Sequence, residues 1–347
     1  MRSRLTLRML VLLMAVLMAP ATASPRLRTT WKMTHGAITA LAYRKDGHQI
    51  AIGTESGRAR IKTLLGDEPA HHSLPDTAGW LSYSPLVYNR HPSGPSAGVG
   101  SLVAISPRGR FEVFFTDDYE AQTAGEMEPE RGTRAPLATL SSDGRYLALS
   151  NSGPDIWIGR PPQGSKRWWQ SPDTDWTGAR MPRPEGVVGT VVSLSLNPDG
   201  SRLAAAYHSP GGKGALVLFN RRTGQALIVR QVAFPPTAVA FDPKGIHLAA
   251  VGSGMVWLGA ANGESGIVLP APPSPATCVA FSPNEHWLAA ACKDGTVYLW
   301  DAKADRVMAE VKAHDGPVTC LAWSPDGRSF ATGGQDGSVK IWDLDKP

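Results

Sequence analysis

Nine histidines and three cysteines are the side chains of this 347-residue chain best suited to binding a metal or moving a proton near neutral pH. Their spacing lends such chemistry little support. Cys278, Cys292 and Cys320 stand 14 and 28 residues apart, which matches no metal-ligand or redox pattern. Each sits in an apolar run (TCVAF, AAAC, TCLAW), so buried, inert thiols are expected. His71-His72 is an isolated pair in the polar stretch GDEPAHHSLPD, and His48, His247 and His286 follow turn residues, positions expected to face water. Asp117-Asp118-Tyr119-Glu120 reads as a solvated acidic loop. Taken alone, His314 and Asp336 would suggest acid–base work. The chain has no HExxH, GxSxG, P-loop or CxxCH run. No catalytic residue, no metal site and no cofactor is expected.

A different chemistry, that of contact, is concentrated between residues 160 and 185, RPPQGSKRWWQSPDTDWTGARMPRPE. Trp168, Trp169 and Trp176 are interleaved there with Lys166, Arg167, Arg180 and Arg183. Planar aromatic and guanidinium groups offer large contact area at low entropy cost and dominate binding hot spots. The competing reading is structural: one Trp packs into a strand and the others cover a rim. Trp168, Trp169, Trp176, Arg167 and Arg180 are therefore the candidate partner-binding residues.

The elements that must carry these side chains are read from composition first. Gly and Pro together are 36 plus 29 residues, too much turn chemistry for a helical bundle. At 42% hydrophobic, the chain is too apolar for disorder. A turn-dense β protein remains. The net charge of +5 includes Arg2, Arg4 and Arg8, so removing residues 1–23 leaves +2, no case for nucleic acid. Those first residues read as an export signal: arginines, the apolar stretch Met9–Ala19, then Ala21-Thr22-Ala23 as a small-x-small cleavage site. The apolar stretch is too short to cross ~30 Å of hydrocarbon as a helix. The expectation is a periplasmic or secreted protein, with residues 1–23 as signal peptide and a soluble, monomeric domain over 24–347.

Internal repeats organise that domain. Read backwards, the units are AHDGPVTCLAWSPDGRSFATGGQDGSVKIWDLD from Ala313, TCVAFSPNEHWLAAACKDGTVYLWDAK from Thr277 and TAVAFDPKGIHLAAVGSGMVWLG from Thr237. Weaker copies begin at Val192, Leu137 and Ile38. Each has a short apolar strand, a Pro- or Asp-Gly turn, an Ala-rich strand, a second Gly turn and a third strand of alternating apolar residues. The endings Trp342-Asp343 and Trp300-Asp301, the turns Gln335-Asp336-Gly337 and Lys293-Asp294-Gly295, and His314-Asp315 in place of Gly-His resemble the WD-repeat family of β-propellers. The middle units depart from it, with Phe219-Asn220 and Gly259-Ala260 instead of Trp-Asp.

The equivalent turn positions Pro325, Pro283, Pro243, Pro198, Ser142 and Lys45 are separated by 42, 40, 45, 56 and 97 residues. The last interval holds two periods, so a degenerate unit made of LSYSP, SLVAISPRG and RFEVFF lies inside it. The expected fold is all-β, a seven-bladed propeller of four-stranded antiparallel blades with insertions near 86–98 and 160–187. Because the last unit stops after three strands, Arg26–Met33 is expected to supply its fourth and close the ring.

The resemblance also implies that His314, Thr332, Asp336 and Trp342 form the structural hydrogen-bonded set of a strong repeat. His35 is the counterpart in the first unit, where Ile52 and Ser56 replace the Thr and Asp, so the set is broken there. Propellers serve many functions, so the fold alone names no ligand. The favoured expectation is a non-catalytic, exported scaffold that binds a protein partner through its loops. The alternatives are a propeller hydrolase or lactonase with a site in the central channel, and a Tol-associated type of periplasmic propeller. The inner strands TCLAW, TCVAF, TAVAF and VSLSL contain no carboxylate, which weighs against the enzyme. The DGxVxxWD endings weigh against the third.

Overall fold

The Ala-rich segments and the Trp-bearing segments of each repeat occupy different depths of one β sheet, and this division of size determines the architecture. In the computed structural model, residues 25–34, 36–64, 73–74, 80–84, 101–105, 110–115, 121–126, 137–150, 156–159, 179–262, 265–270, 272–302 and 306–344 are described. They form strands and turns only, grouped in four-stranded antiparallel sheets.

Blade 1 comprises β2 (Ile38–Tyr43), β3 (Gln49–Thr54), β4 (Ala59–Thr63) and β5 (Ser73–Leu74). Blade 2 comprises β6 (Trp80–Ser84), β7 (Ser101–Ile105), β8 (Arg110–Phe115) and β9 (Ala121–Glu126). Blade 3 follows with β10 (Leu137–Leu140), β11 (Leu147–Ser150), β12 (Ile156–Gly159) and β13 (Ala179–Met181). Blade 4 is β14 (Thr190–Leu196), β15 (Arg202–Ser209), β16 (Lys213–Asn220) and β17 (Ala226–Val232). Blade 5 is β18 (Ala238–Phe241), β19 (His247–Gly252), β20 (Met255–Ala260) and β21 (Gly266–Leu269). Blade 6 is β22 (Ala276–Phe281), β23 (Trp287–Cys292), β24 (Thr296–Asp301) and β25 (Arg306–Lys312). The C-terminal sheet, blade 7, holds β26 (Val318–Trp323), β27 (Ser329–Gly334) and β28 (Ser338–Asp343), and its fourth strand is β1 (Arg26–Lys32) from the other end of the chain. Leu27 pairs with Trp342 and Trp31 with Val339 in that antiparallel ladder. Six of these sheets are described through most of their side chains, blade 2 mainly through its backbone.

The architecture is a β-propeller. First strands of successive blades lie side by side from β2 through β26, and β26 also meets β2. Blades converge toward that centre, so second strands must be slim: Ala289, Ala290 and Ala291 on β23 and Ala204, Ala205 and Ala206 on β15 are all buried. Farther out, third strands have room for bulk, and Trp300, Phe219 and Ile341 fill it. Fourth strands reach water, as the largely exposed RVMAEVK on β25 shows. Each large buried side chain adds about 1.5–3 kcal/mol to folding. Gly47, Gly144, Gly200, Gly245 and Gly327 take positive φ in the first turn of their blades; blade 6 places Glu285 there at φ 62°.

Where the repeat loses its Trp, the packing reorganises. Gly259 occupies the place that Trp300 holds one blade later, and the indole of Trp257, two residues earlier on the same face, lies across it. A Cβ on Gly259 would come within 2.3 Å of that ring.

Neighbouring blades are also joined through hydroxyls. A register shift in the first strand sets Thr277 apart from the ladder in β22 and Thr319 in β26. Thr277 Oγ1 lies 2.6 Å from the Val318 carbonyl of blade 7 and 3.0 Å from Ala291 O of its own blade. Thr237 repeats this toward Ala276 O (2.7 Å) and Val251 O (3.1 Å), and Thr319 toward Ile38 O of blade 1 and Gly333 O. One hydroxyl has one proton, and the shorter contact assigns it to the neighbouring blade. Blades 4 and 5 use the reverse sense: the N–H groups of Val239 and Phe241 donate to Ser193 and Ser195 Oγ.

Replacing Thr277 by Val keeps the shape and leaves the Val318 carbonyl without this donor, so it should cost about 1–2 kcal/mol. Thr319→Val should cost a similar amount, and because Thr277 donates to the carbonyl of the Val318–Thr319 peptide the two losses should couple and not simply add. Urea unfolding midpoints measure both; unchanged midpoints would remove the seam role assigned to these hydroxyls.

Candidate functional site

The turn before β28 and the loop before β26 bring four side chains together. His314 is buried, and its Nε2 accepts the Thr332 hydroxyl at 2.9 Å. Its Nδ1 faces the Asp336 carboxylate at 3.1 and 3.2 Å, so the ring proton sits on Nδ1 and points at the acceptor-only carboxylate. Trp342 Nε1 donates to Thr332 Oγ1 at 3.1 Å. Ser338, which the sequence reading did not include, completes the cluster: its N–H and hydroxyl donate to Asp336 Oδ1 at 2.9 and 2.7 Å. Burial pushes the His314 imidazole below its ordinary pKa, outweighing the pull of Asp336 toward the charged form. For Asp336, burial acts upward, but the Ser338 hydroxyl and N–H and His314 together hold the carboxyl below the usual range. Both groups are saturated with partners. This arrangement ties the two loops to strand β27.

The same positions decay in the preceding blades. In blade 6, Pro272 and Ala290 stand where His314 and Thr332 stand, while Asp294 and Trp300 remain. Asp294 still caps its turn through the Thr296 N–H at 3.0 Å, but Trp300 Nε1 is buried with no hydrogen-bond partner. In blade 1, Thr54 and Ser56 hydroxyls meet at 3.1 Å, and His35 lies outside the described residues.

His247 departs from the expectation of a simple solvent-facing residue. It is half-exposed, yet its Nδ1 is held 3.0 Å from the buried carboxylate of Asp242. Asp242 also accepts the backbone N–H groups of Ile246 and His247 at 2.7 and 3.0 Å, so a charge inside the protein is balanced by three donors. His247 borders a cavity of about 420 Å³ lined by Leu258, Gly259, Ala260, Ser265, Gly266, Ile267 and Ala302.

The three thiols are unbonded. Burial pushes Cys278 up to about 11 and Cys292 up to about 12, and raises Cys320 as well. Thiolates are therefore scarce at neutral pH. Among the described residues, no group of three His, Cys, Asp or Glu side chains is placed to hold a metal ion.

Of the candidate contact residues, Trp168, Trp169, Trp176 and Arg167 lie outside the described residues, as does the insertion near 86–98. Arg180 is described: it is exposed on β13, with its guanidinium 5.8 Å from the ring of Trp157, itself 41% exposed. Cationic and aromatic groups thus share the rim of blade 3 where that insertion returns to the sheet.

Comparison with known proteins follows the same gradient of repeat quality. The family model "WD domain, G-beta repeat" matches residues 263–301 and 306–343, the two blades with intact Trp-Asp endings. The chain is also similar to eukaryotic translation initiation factor 3 subunit I of Scheffersomyces stipitis, 26% identical over 165 residues, which covers 42% of this chain and 45% of that protein. The chain thus spans less than half the length of this relative. The finding corrects one expectation. A translation initiation factor subunit works inside the cell, which points away from a periplasmic or secreted location. The apolar segment that prompted that expectation lies within residues 1–24, outside the described ones.

The depressed His314 pKa has a sign that can be checked. A His held neutral in the fold supports stability above its unfolded pKa of about 6.5 and loses that support as pH falls through the folded value. Asp336, with its pKa held down, loses its contribution only at lower pH, below the ordinary carboxylate value of about 4. His314→Asn should therefore cost about 2–3 kcal/mol at neutral pH, and the gap should narrow between about pH 7 and pH 5. Melting temperatures of both proteins across that range decide it; a gap that stays constant means the imidazole is not kept neutral.

Proposed function

We propose that this WD-repeat propeller is a non-catalytic protein–protein interaction scaffold, a ring of seven blades closed by β1 on β28 that offers its loops to a protein partner. The observation that carries this reading is what the polar side chains are used for. His314, Asp336 and Thr332 bind one another, Thr237, Thr277 and Thr319 join neighbouring blades, and Asp242 is enclosed by three donors. Groups spent in this way hold loops in fixed places, which suits recognition rather than turnover. The inner strands VSLSL, TAVAF, TCVAF and TCLAW carry no carboxylate or imidazole that would serve a hydrolase. Similarity to a protein named as a subunit supports a role in assembly.

The partner surface in this reading is the insertion near 160–187, through Trp168, Trp169, Trp176 and Arg167, with Arg180 beside Trp157 at its end. Rigid aromatics flanked by guanidinium groups are the composition of a binding hot spot. These tryptophans stand outside the repeat grammar, so folding does not require them.

Changing Trp168, Trp169 and Trp176 together to Ala should leave stability within about 1 kcal/mol, as for surface sites. Capture of the cellular partner, identified by mass spectrometry with the unaltered protein, should weaken by about 2 kcal/mol or more. A clear fall in melting temperature with binding lost in proportion would mean that these residues pack; a stable variant with full capture would place the contact elsewhere.

Ring closure has its own test. Deleting Arg26–Lys32 removes the outer strand from β28 and bares an edge ladder, so the protein should lose several kcal/mol and self-associate. A truncated protein that stays monomeric with its melting temperature intact would count against closure by this strand.

A further inference from the structure

One position recurs in the blades as a plug. The first residue past the third strand donates its N–H to a carbonyl at the end of the first turn: Leu64 to His48, Arg221 to Ser201, Ala302 to His286 and Leu344 to Arg328. Its side chain is set against the preceding blade. Leu64 packs on the cluster that holds Val339 and Ile341 of blade 7, and Leu344 on the cluster that holds Trp287 and Leu299 of blade 6. The Arg221 guanidinium lies 3.9 Å from the centre of the Tyr146 ring of blade 3. Ala302 is the short one of these four. It borders the cavity of about 420 Å³ between blades 5 and 6.

Register identifies the walls of that cavity. Leu258 packs with Trp300, so its face of β20 looks at blade 6. Ile267 stands opposite Leu258, His247 stands opposite Ala260, and Ala260 lies two residues along from Leu258. All four side chains therefore share that face. Gly259 and Gly266 add bare backbone and Ser265 a hydroxyl. The spacing of the two blades is fixed by Thr237 on Ala276 O and by the ion pair of Lys244 with Glu285 at 2.6 Å.

His247 brings selectivity. Its Nδ1 is held by the acceptor-only carboxylate of Asp242 at 3.0 Å, so the ring proton sits there and Nε2 presents a lone pair. Covering that lone pair without a donor would cost free energy. Apolar surface adjoins it: Ile267 in the wall is 43% exposed, Ile246 next to His247 54%, and Val307, opposite Trp300 on β25, 40%. Exposed apolar groups gathered at one place mark a surface that another macromolecule covers.

We infer that the groove between blades 5 and 6 receives one aromatic side chain of a partner protein, a tyrosine or tryptophan, with its ring against Leu258, Ile267 and Ala302 and its O–H or N–H donated to His247 Nε2. Ligand pockets run from about 300 to 1,000 Å³, and this one lies near the low end, which suits a single ring. Tyr and Trp combine an apolar body with one polar end, as these walls and this lone acceptor require. The inference rests on the protein-interaction reading but uses a different surface from the tryptophan-rich insertion.

The test is a chemical-shift titration of the labelled protein, read at the His247 imidazole and the Gly259 and Gly266 amides. The probes are N-acetyl-tyrosinamide, its phenylalanine counterpart and its O-methyl ether, which keeps the oxygen and loses the proton. The tyrosine probe should bind saturably and the other two about fivefold more weakly, the worth of one hydrogen bond. A Val-Tyr-Val peptide should bind at least about tenfold tighter than p-cresol, because its flanking residues reach the apolar rim. Ala302→Leu installs the plug that blades 1 and 7 carry, so it should abolish binding with the melting temperature unchanged or raised. His247→Asn keeps a donor for Asp242 and removes the acceptor, and it should erase the preference for tyrosine. Should the Asn variant fail to fold, the O-methyl ether makes the same comparison on the unaltered protein. Capture of the cellular partner should fall at least about fivefold in Ala302→Leu. No shift at His247, equal binding of the three probes, p-cresol binding as tightly as the peptide, or full peptide binding by Ala302→Leu overturns the inference. Undiminished partner capture by Ala302→Leu overturns it too, and leaves the scaffold reading standing.

Discussion

Sheets that meet face to face around an axis leave the inner edge of every first strand short of hydrogen-bond partners, and this structure answers that shortage with single hydroxyls. Thr277 and Thr319 leave the ladder of their own blade at a register shift, Thr237 stands just before β18, and each directs its proton to a carbonyl of the next blade. A backbone carbonyl buried without a donor costs about as much as a lost hydrogen bond, so each hydroxyl both satisfies a group and sets the spacing of two sheets. Everything farther from the axis inherits that spacing. Ala-rich second strands fit because the sheets are close there, and Trp, Phe and Ile fit in the third strands because the sheets have diverged.

Packing tolerance explains how weakened repeats persist in one frame. Loss of the Trp at Gly259 would leave a large void, and voids in well-packed interiors are expensive. The indole of Trp257 fills it from the same face, and the bare Cα of Gly259 lets the ring lie flat against the strand. Blade 6 shows an uncompensated loss: Trp300 keeps its position without the threonine and histidine that serve Trp342, and its N–H stays unpaired. The hydrophobic contribution of the ring is retained while the polar contribution is gone.

Function follows from how the polar and aromatic side chains are distributed. Among the described residues, two His–Asp pairs, His314 with Asp336 and His247 with Asp242, serve loop geometry. Contact chemistry instead lies on the periphery, in the Trp157–Arg180 pair and in Trp31 with Lys62. A rigid centre with reactive groups spent inside and aromatic–cationic pairs at its rim is the distribution expected of a platform for other macromolecules.

What could be read from the sequence was what depends on short spans of chain. Strand alternation, Pro- and Asp-Gly turns, and a recurring unit of about forty residues are local signals, and they identified antiparallel four-stranded blades and the His314, Thr332, Asp336 and Trp342 positions. The apolar residues near the N-terminus carried a signal of the same local kind, but compartment is not a property of local pattern, and similarity to an intracellular factor points the other way. Tertiary structure decided the contacts between residues remote in sequence. Thr319 meets the carbonyl of a residue 281 positions away, and the repeated Thr at the head of TAVAF, TCVAF and TCLAW reads as ordinary strand composition until two blades are set side by side. Trp257 reads as the third-strand aromatic of its own blade, and only the empty volume over Gly259 shows that it stands in for a lost one. Local pattern specifies dihedral preferences and which face is apolar; a seam exists only once two sheets meet, and its partners are selected by distance in space.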